Sequence, residues 1–247
     1  MSPKQAPGFS PLPETPWDAL GPIVCEKVLI EGRTFVIERP GESDRLLDHP
    51  FVTSAFARDE YMPYWAELWP AARMLAKAIL QEPWAHGGEA MELGCGLGLP
   101  GIAALAAGLR VTFSDYDATA LRFADHNARI NGYEEFRLFQ MDWRWPPTDL
   151  RVPVILASDL IYELRNVAPL VSVIKQVLLP DGLCLLADQD RTPAQALRET
   201  LADEGLEFST QFVRAGEPGG RRVKGTLYRI THARETRLGF RARAPVP

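Results

Sequence analysis

Four carboxylates fall at the ends of short apolar runs: Glu92 within "EAMEL", Asp115 after "RVTFS", Asp142 after "FRLFQM" and Asp159 after "VILAS". Beside the first lies a glycine cluster, "ELGCGLGLPG", with Gly94, Gly96, Gly98 and Gly101. Taken from Gly96, the cluster satisfies G-x-G-x-x-G; taken from Glu92, it reads E-x-G-x-G-x-G. The first spacing suits a dinucleotide, whose pyrophosphate rests on the free N–H groups and positive end of a helix. The second suits S-adenosylmethionine (SAM), which carries a sulfonium and an amino-acid end in place of a diphosphate and tolerates or uses an acid such as Glu92 near the loop. Asp115 can accept two ribose hydroxyls in either case. Asp142 can take an adenine amino group, and Trp143 offers a stacking face. Ser158 and Asp159 lie where a reacting group would be presented, opposite the loop. A lone glycine motif is weak. Four successive strand ends bearing carboxylates beside the longer motif favour SAM over NAD.

Tyr64, Trp65, Trp69 and Tyr162 can form an aromatic wall, and such faces attract an ammonium or a sulfonium. Tryptophans also bury large area as plain core; Trp65 leans to the site, and Trp69 is divided between the two roles. Glu67 is a further candidate for holding an acceptor, or a cap for the helix that follows. Methyl transfer from a sulfonium needs nucleophile, methyl and sulfur in line, and alignment itself accelerates the reaction. It also needs an uncharged nucleophile. A free lysine titrates near pH 10.4, so about one amine in a few thousand is neutral at pH 7. Burial beside a positive sulfonium lowers that pKa. Asp159 opposes the shift while holding the amine and accepting its proton. His49, His86, His126 and His232 lack metal-ligand spacing, no Ser/His/Asp arrangement is apparent, and no metal is expected.

These residues need a scaffold that brings strand ends together. "VLIEGRTFVIERP" (28–40) reads as two strands turning at Glu31–Gly32. "WPAARMLAKAILQEP" reads as a helix with Pro70 in its first turn. Then strands at "EAMEL", "RVTFS", "FRLFQM", "VILAS" and "LCLLAD" alternate with helices. The helices are "PGIAALAAG", ending at Gly108; "ATALRFADHNARING", stopped by Asn131–Gly132; "NVAPLVSVIKQVLLPDG", closing on an Asp-Gly turn; and "TPAQALRETLADEG", capped by Thr192. "LEFSTQFV" and "RRVKGTLYRIT" close as a strand pair. This alternation predicts an α/β fold, a mostly parallel sheet covered on both faces. Such a sheet binds ligands beyond the C-terminal ends of its strands.

At 247 residues, 46% hydrophobic and 24% charged, the chain has the make-up of an ordinary globular protein with a proper core. It has no apolar run near the length of a membrane span and no secretory h-region. Three widely spaced cysteines argue against a disulfide framework and for a reducing cytoplasm. The net charge of −5 is uneven: nine Lys/Arg and two Asp/Glu follow from Arg214 to the end. That basic end can dock an acidic partner or form the solvated face of a strand.

With these residues in place the chain resembles a class I (seven-strand) SAM-dependent methyltransferase, and within that class the protein-lysine methyltransferases of methyltransferase family 16. The resemblance is carried by "MPYWAELWPAARMLA" (62–76), "MELGCGLGLPGIAALAAG" (91–108), "VTFSDYDATAL" (111–121), "NARING" (127–132), "MDWR" (141–144) and "ASDLIYE" (157–163), where Asp159 to Tyr162 fits D-x-x-Y. It implies a Rossmann-like, doubly wound sheet of order 3-2-1-4-5-7-6 with strand 7 antiparallel, preceded by an N-terminal β-hairpin and helix. It implies a cofactor set of Gly94, Gly96 and Gly98 under the methionine moiety, Asp115 on the ribose, Asp142 and Trp143 at the adenine, with Glu92 and Ser158 nearby and Trp65 or Trp69 as cover. Asp159 and Tyr162 would face the acceptor as the catalytic pair. The domain reading is a Pro-rich lead-in at 1–20, expected to be mobile or extended, a hairpin extension at 21–60, the SAM-binding domain at 61–235 and a basic tail at 236–247. The expected reaction is N-methylation of a protein lysine. A small-molecule amine of nicotinamide type, a catalytically silent SAM-binding module and an NAD-dependent oxidoreductase stand as alternatives. Neither membrane nor nucleic acid is an expected partner.

Overall fold

In the computed structural model, which describes residues 14–15, 20–216 and 222–233, the central strands are apolar on both faces because both are covered. The strands of the sheet are β3 (Glu89–Leu93), β4 (Arg110–Asp115), β5 (Arg137–Gln140), β6 (Val152–Ser158), β7 (Leu178–Asp188), β8 (Leu206–Ala215) and β9 (Val223–His232). They form one sheet in the order β5-β4-β3-β6-β7-β9-β8. The first five run parallel, and β9 is antiparallel to both its neighbours. Counted from β3, this is the 3-2-1-4-5-7-6 order expected above. Side chains alternate across each strand. Val154 and Leu156 of β6 therefore join a core with α2 (Pro70–Gln81), α3 (Leu99–Ala106) and α4 (Ala118–Ile130). Ile155 and Ala157 join the opposite core, with α5 (Val167–Val177) and α6 (Ala194–Asp203).

The N-terminal hairpin is a separate two-stranded sheet, β1 (Ile23–Ile30) and β2 (Arg33–Pro40). Its turn has positive φ at both Glu31 (48°) and Gly32 (74°), the geometry that matches strand twist in a two-residue loop. Two asparagines of α4 hold the free edge of β2. Asn131 accepts from Val36 N–H (2.9 Å) and donates to Val36 O (2.7 Å). Asn127 does the same for Glu38 (2.8 and 3.1 Å) and also donates to Leu97 O in the glycine loop (3.0 Å). Each side-chain amide thus stands in for a strand residue. Asn131, read from the sequence as a helix stop, is both C-cap and docking group.

Three elements depart from the sequence reading. The helix expected to run to Gly182 ends at Val177, and β7 starts at Leu178. Pro180 is the reason: it lacks an N–H and drives the preceding residue to extended backbone. The strand bulges there, pairing Val152 with Leu178 but Val154 with Leu183. α6 has Pro193 at its N-cap rather than Thr192, and a backbone turn from Ala194 N–H to Arg191 O (2.9 Å) takes the cap's place. A helix not anticipated, α1 (Pro50–Asp59), has Pro50 at its first position and His49 Nδ1 accepting from Phe51 N–H; "HPFV" carried that signal. Of the lead-in, residues 1–13 and 16–19 lie outside the described residues. Thr15, by contrast, is buried, its N–H donating to Thr119 Oγ1 at 2.8 Å. The basic tail lies outside the described residues, and within β9 Arg229 pairs with Glu82. Among the described residues no helix is long and apolar enough to cross a membrane, and no cluster of His, Cys, Asp or Glu could hold a metal ion.

Candidate active site

The glycine loop turns out of β3 with left-handed backbone at Gly94, Gly96 and Gly98 (φ 56°, 50° and 83°), a conformation that costs other residues about 1–2 kcal/mol each. A Cβ on Gly94 would also lie 2.6 Å from Leu160 and 3.0 Å from Trp143. Gly101 does other work. It sits inside α3, packed against Phe113 and Glu92. The last glycine of G-x-G-x-x-G is therefore a helix-packing residue and does not line the cavity.

Glu92 corrects the sequence reading. In β3 it shares a face with Ala90, so its side chain turns under the loop toward α3. There it is 1% exposed and accepts Gly101 N–H at 2.9 Å. Burial, and secondarily the nearby Asp115, raise its pKa well above the carboxylate range, while the Gly101 bond pulls the other way. It does not line the cavity. The other residues singled out for the site, Trp65, Gly94, Gly96, Gly98, Asp115, Asp142, Trp143, Ser158, Asp159 and Tyr162, all line one cavity. Its volume is about 570 Å³, within the roughly 300–1,000 Å³ of small-molecule sites. It opens where β3, β4, β6 and β7 end.

Asp115 accepts N–H bonds from Gly96 and Asp117, each at 2.9 Å. Burial pushes its pKa up to about 7 against the opposing pull of those bonds. Asp117 caps α4 through Thr119 N–H (2.6 Å) and accepts from the Tyr61 hydroxyl. Tyr61 in turn accepts from Trp65 Nε1 at 3.1 Å. Burial and the Asp117 charge raise the Tyr61 pKa. Tyr61 and Asp117 were missed from the sequence. Asp117 at a helix start was a visible cap signal, whereas Tyr61 carried none. Trp65 is 7% exposed, its ring packed on Phe123 with centroids 5.4 Å apart, so it is chiefly core and meets the loop with its backbone beside Gly96. Asp142 is held in a two-pronged ion pair with Arg144 (2.9 and 2.7 Å) and also takes Arg144 N–H at 2.9 Å. Trp143 lies against Gly94.

On the opposite wall, Asp159 has left-handed backbone (φ 55°) and is 6% exposed. Its carboxylate accepts Gln189 Nε2 at 3.0 and 2.9 Å and Ala71 N–H at 3.1 Å. Arg191 stands 3.3 Å away. Burial raises its pKa, and Arg191, Gln189 and Ala71 pull it back. Gln189 and Arg191 come from beyond β7, some thirty residues away, and the sequence reading did not find them. Tyr162 stacks at a tilt on Tyr64, centroids 4.5 Å apart, and burial pushes its phenol up to about 12. Trp69 lies edge-on to Tyr64 and donates its Nε1–H to Tyr64 O at 2.7 Å. Glu67 lines the lip, accepts from Ser43 Oγ and lies 3.5 Å from Arg39.

Seven carboxylates and three guanidiniums line this cavity. One N–H of the first turn of α3, that of Gly101, is already taken by Glu92. A diphosphate would meet net negative charge and a spent donor. A sulfonium or an ammonium would meet favourable charge and aromatic faces.

A family model described as lysine methyltransferase matches residues 60–199. The histidine protein methyltransferase 1 homolog of Dictyostelium discoideum is 33% identical over 109 residues, covering 42% of this chain and 35% of that one. The ribosomal protein L11 methyltransferase of Shewanella sediminis is 33% identical over 132 residues, covering 53% and 41%. The matched stretch is thus about two fifths or less of those relatives' length. Among solved structures, precorrin-6y C5,15-methyltransferase from Geobacter metallireducens aligns with a TM-score of 0.55 at 13% identity, covering 65% of this chain and 89% of that one. Magnesium protoporphyrin IX methyltransferase from Synechocystis PCC 6803, with bound SAM, aligns with a TM-score of 0.52 at 14% identity, covering 65% and 77%. At such identities the likeness is one of fold.

Proposed function

Because this chain is a methyltransferase, a member of the lysine methyltransferase family, we propose that it moves a methyl group from SAM to a side-chain nitrogen of a protein, with lysine as the acceptor. The observation that carries this reading is a single cavity with the glycine loop on one wall and a carboxylate among aromatic rings, Asp159 with Tyr64, Trp69 and Tyr162, on the other. The named protein substrates of the histidine and L11 methyltransferase relatives support a protein acceptor. Catalysis is assigned to residues 61–235, with residues 21–60 as an extension braced against them.

The residues fit SAM by their chemistry. Gly94, Gly96 and Gly98 leave room for its methionine portion. Asp115 accepts from the ribose, and Asp142 and Trp143 serve the adenine. When bound, SAM supplies a methyl on a sulfonium that leaves neutral. The chain's own residues do the rest. Asp159 and the aromatic wall hold the incoming ammonium. Burial among these rings beside a positive sulfonium lowers the amine's pKa, against the opposing pull of Asp159. Asp159 holds the amine and accepts its proton. Tyr162 and Tyr64 fix the approach of the nitrogen, and alignment supplies rate.

Calorimetry with SAM and with NAD tests the cofactor; binding of NAD alone would overturn the reading. Incubation with labelled SAM and a cell extract tests the acceptor. Label in macromolecules is expected, whereas label in small solutes would replace the protein acceptor by a small amine. Asp159→Asn keeps an oxygen for Ala71 N–H and is expected to lower kcat/KM about a hundredfold, the scale of losing one charged group from a site, while SAM affinity holds. A histidine acceptor is the second reading, favoured by the Dictyostelium relative. The pH–rate profile separates the two. A lysine acceptor's rate climbs with pH well past 8, whereas an imidazole acceptor's rate levels off above about 6.5.

A further inference from the structure

An internal cation already stands beside Asp159, where a substrate ammonium would sit. A carboxylate offers about four acceptor positions. Fixed, neutral donors occupy them: Gln189 through its side-chain amide and its backbone N–H, and Ala71 N–H. Arg191 adds a charged contact, its Nη2 3.3 Å from Asp159 Oδ1. The same guanidinium lies over the Trp69 ring, 5.2 Å from its centroid. A carboxylate on one side and an aromatic face on the other are the two contacts a substrate ammonium would make. The backbone of Arg191 is anchored, its N–H on Asp188 Oδ1 and its carbonyl taking Ala194 N–H. Its side chain is held less tightly. Across the cavity Arg144 grips Asp142 with two prongs at 2.7–2.9 Å, the usual range of a charge-assisted bond. Arg191 makes one long contact, and its side chain is 25% exposed. A compact ammonium can approach a carboxylate more closely than a planar fork held at that distance.

We propose that Arg191 is a placeholder in the acceptor seat, a specificity-determining residue that an incoming ammonium must displace from Asp159 and Trp69. The proposal rests on the reading of this wall as the acceptor side. It excludes uncharged side chains: only a cation compensates Asp159 once Arg191 has swung out. Displacement costs acceptor affinity and leaves the cofactor side of the cavity untouched.

The test uses the full chain and n-butylammonium chloride at fixed ionic strength as a stand-in for the lysine side chain. The indole N–H resonance of Trp69, assigned with Trp69→Phe, reports binding at this wall. Arg191→Met should bind n-butylammonium about five- to tenfold more tightly than the parent, equivalent to roughly 1–1.4 kcal/mol. Arg191→Lys, which keeps a competing cation, should stay near the parent, and n-butanol should bind none of the three. In the unsubstituted chain, n-butylammonium should also shift the Arg191 Nε–H resonance as the guanidinium leaves the ring. Equal or weaker binding by Arg191→Met overturns the proposal, and so does an Arg191 resonance that stays put while that of Trp69 moves. Calorimetry with SAM on the same samples keeps the two ideas apart. SAM binding without tighter n-butylammonium binding sinks the placeholder alone, whereas failure of the parent to bind SAM sinks the functional reading.

Discussion

Burial pushes the Asp115 pKa up to about 7 in the free chain, outweighing the backbone N–H groups of Gly96, Tyr116 and Asp117. A ribose needs it as an acceptor, hence ionised. The sign follows: above pH 7 the carboxylate is ready, and below it each binding event must first expel a proton. The SAM dissociation constant is expected to be flat above about pH 8 and to rise toward tenfold per pH unit below 7, the limit for one proton. Calorimetry from pH 5.5 to 8.5 measures it, and Asp115→Asn should bind more weakly with that slope abolished. Glu92 makes the opposite case, a carboxylate wholly inside the fold. Glu92→Ala strands the Gly101 N–H and should cost about 1–3 kcal/mol of stability, read as a lower urea midpoint. Glu92→Gln keeps an oxygen for that bond and should hold most of it. The acids at the strand ends were legible because strand, turn and acid are neighbours in sequence. What each acid touches was not. Gln189 and Arg191 reach Asp159 only through the parallel pairing of β6 with β7. That Glu92 turns away from the cavity to Gly101 could not be read, because proximity to the loop in sequence does not say what packs on each face of β3.

Among elements, α4 does the most joining. Its Asn127 serves the hairpin backbone twice and the glycine loop once. Asn127→Ala should cost about 1–3 kcal/mol through stranded backbone groups and, by freeing Leu97 O, weaken SAM binding as well. Asn131→Ala should cost stability alone, since Asn131 has no bond to the loop; urea titration and calorimetry on both variants separate the effects. The alternation of strands and helices was readable because each element has its own period and punctuation: Pro70 opening α2, Gly108 after α3, Asn131–Gly132 after α4. The α5–β7 boundary was misread because an apolar helix runs straight into an apolar strand, and Asp181–Gly182 was read as the turn closing the helix. The hairpin's docking was invisible, because nothing in "NARING" distinguishes a surface asparagine from one that imitates a strand.

For the molecule as a whole, the acid-lined cavity forms a field that draws cations. Salt shortens its reach, from about 13 Å near 0.05 M to about 4 Å near 0.5 M. With a labelled protein acceptor, KM is expected to rise about three- to tenfold over that range with kcat little changed, since screening acts on encounter. The tie through Asn127 has a further consequence at this scale. Coupling between two sites is reciprocal. If loading the loop tightens its hold on Leu97, it also tightens the grip on β2, and backbone amide exchange at Val36 and Glu38 should slow when SAM is added. A body that clasped the hairpin would then sense, from outside, whether the methyl donor was aboard.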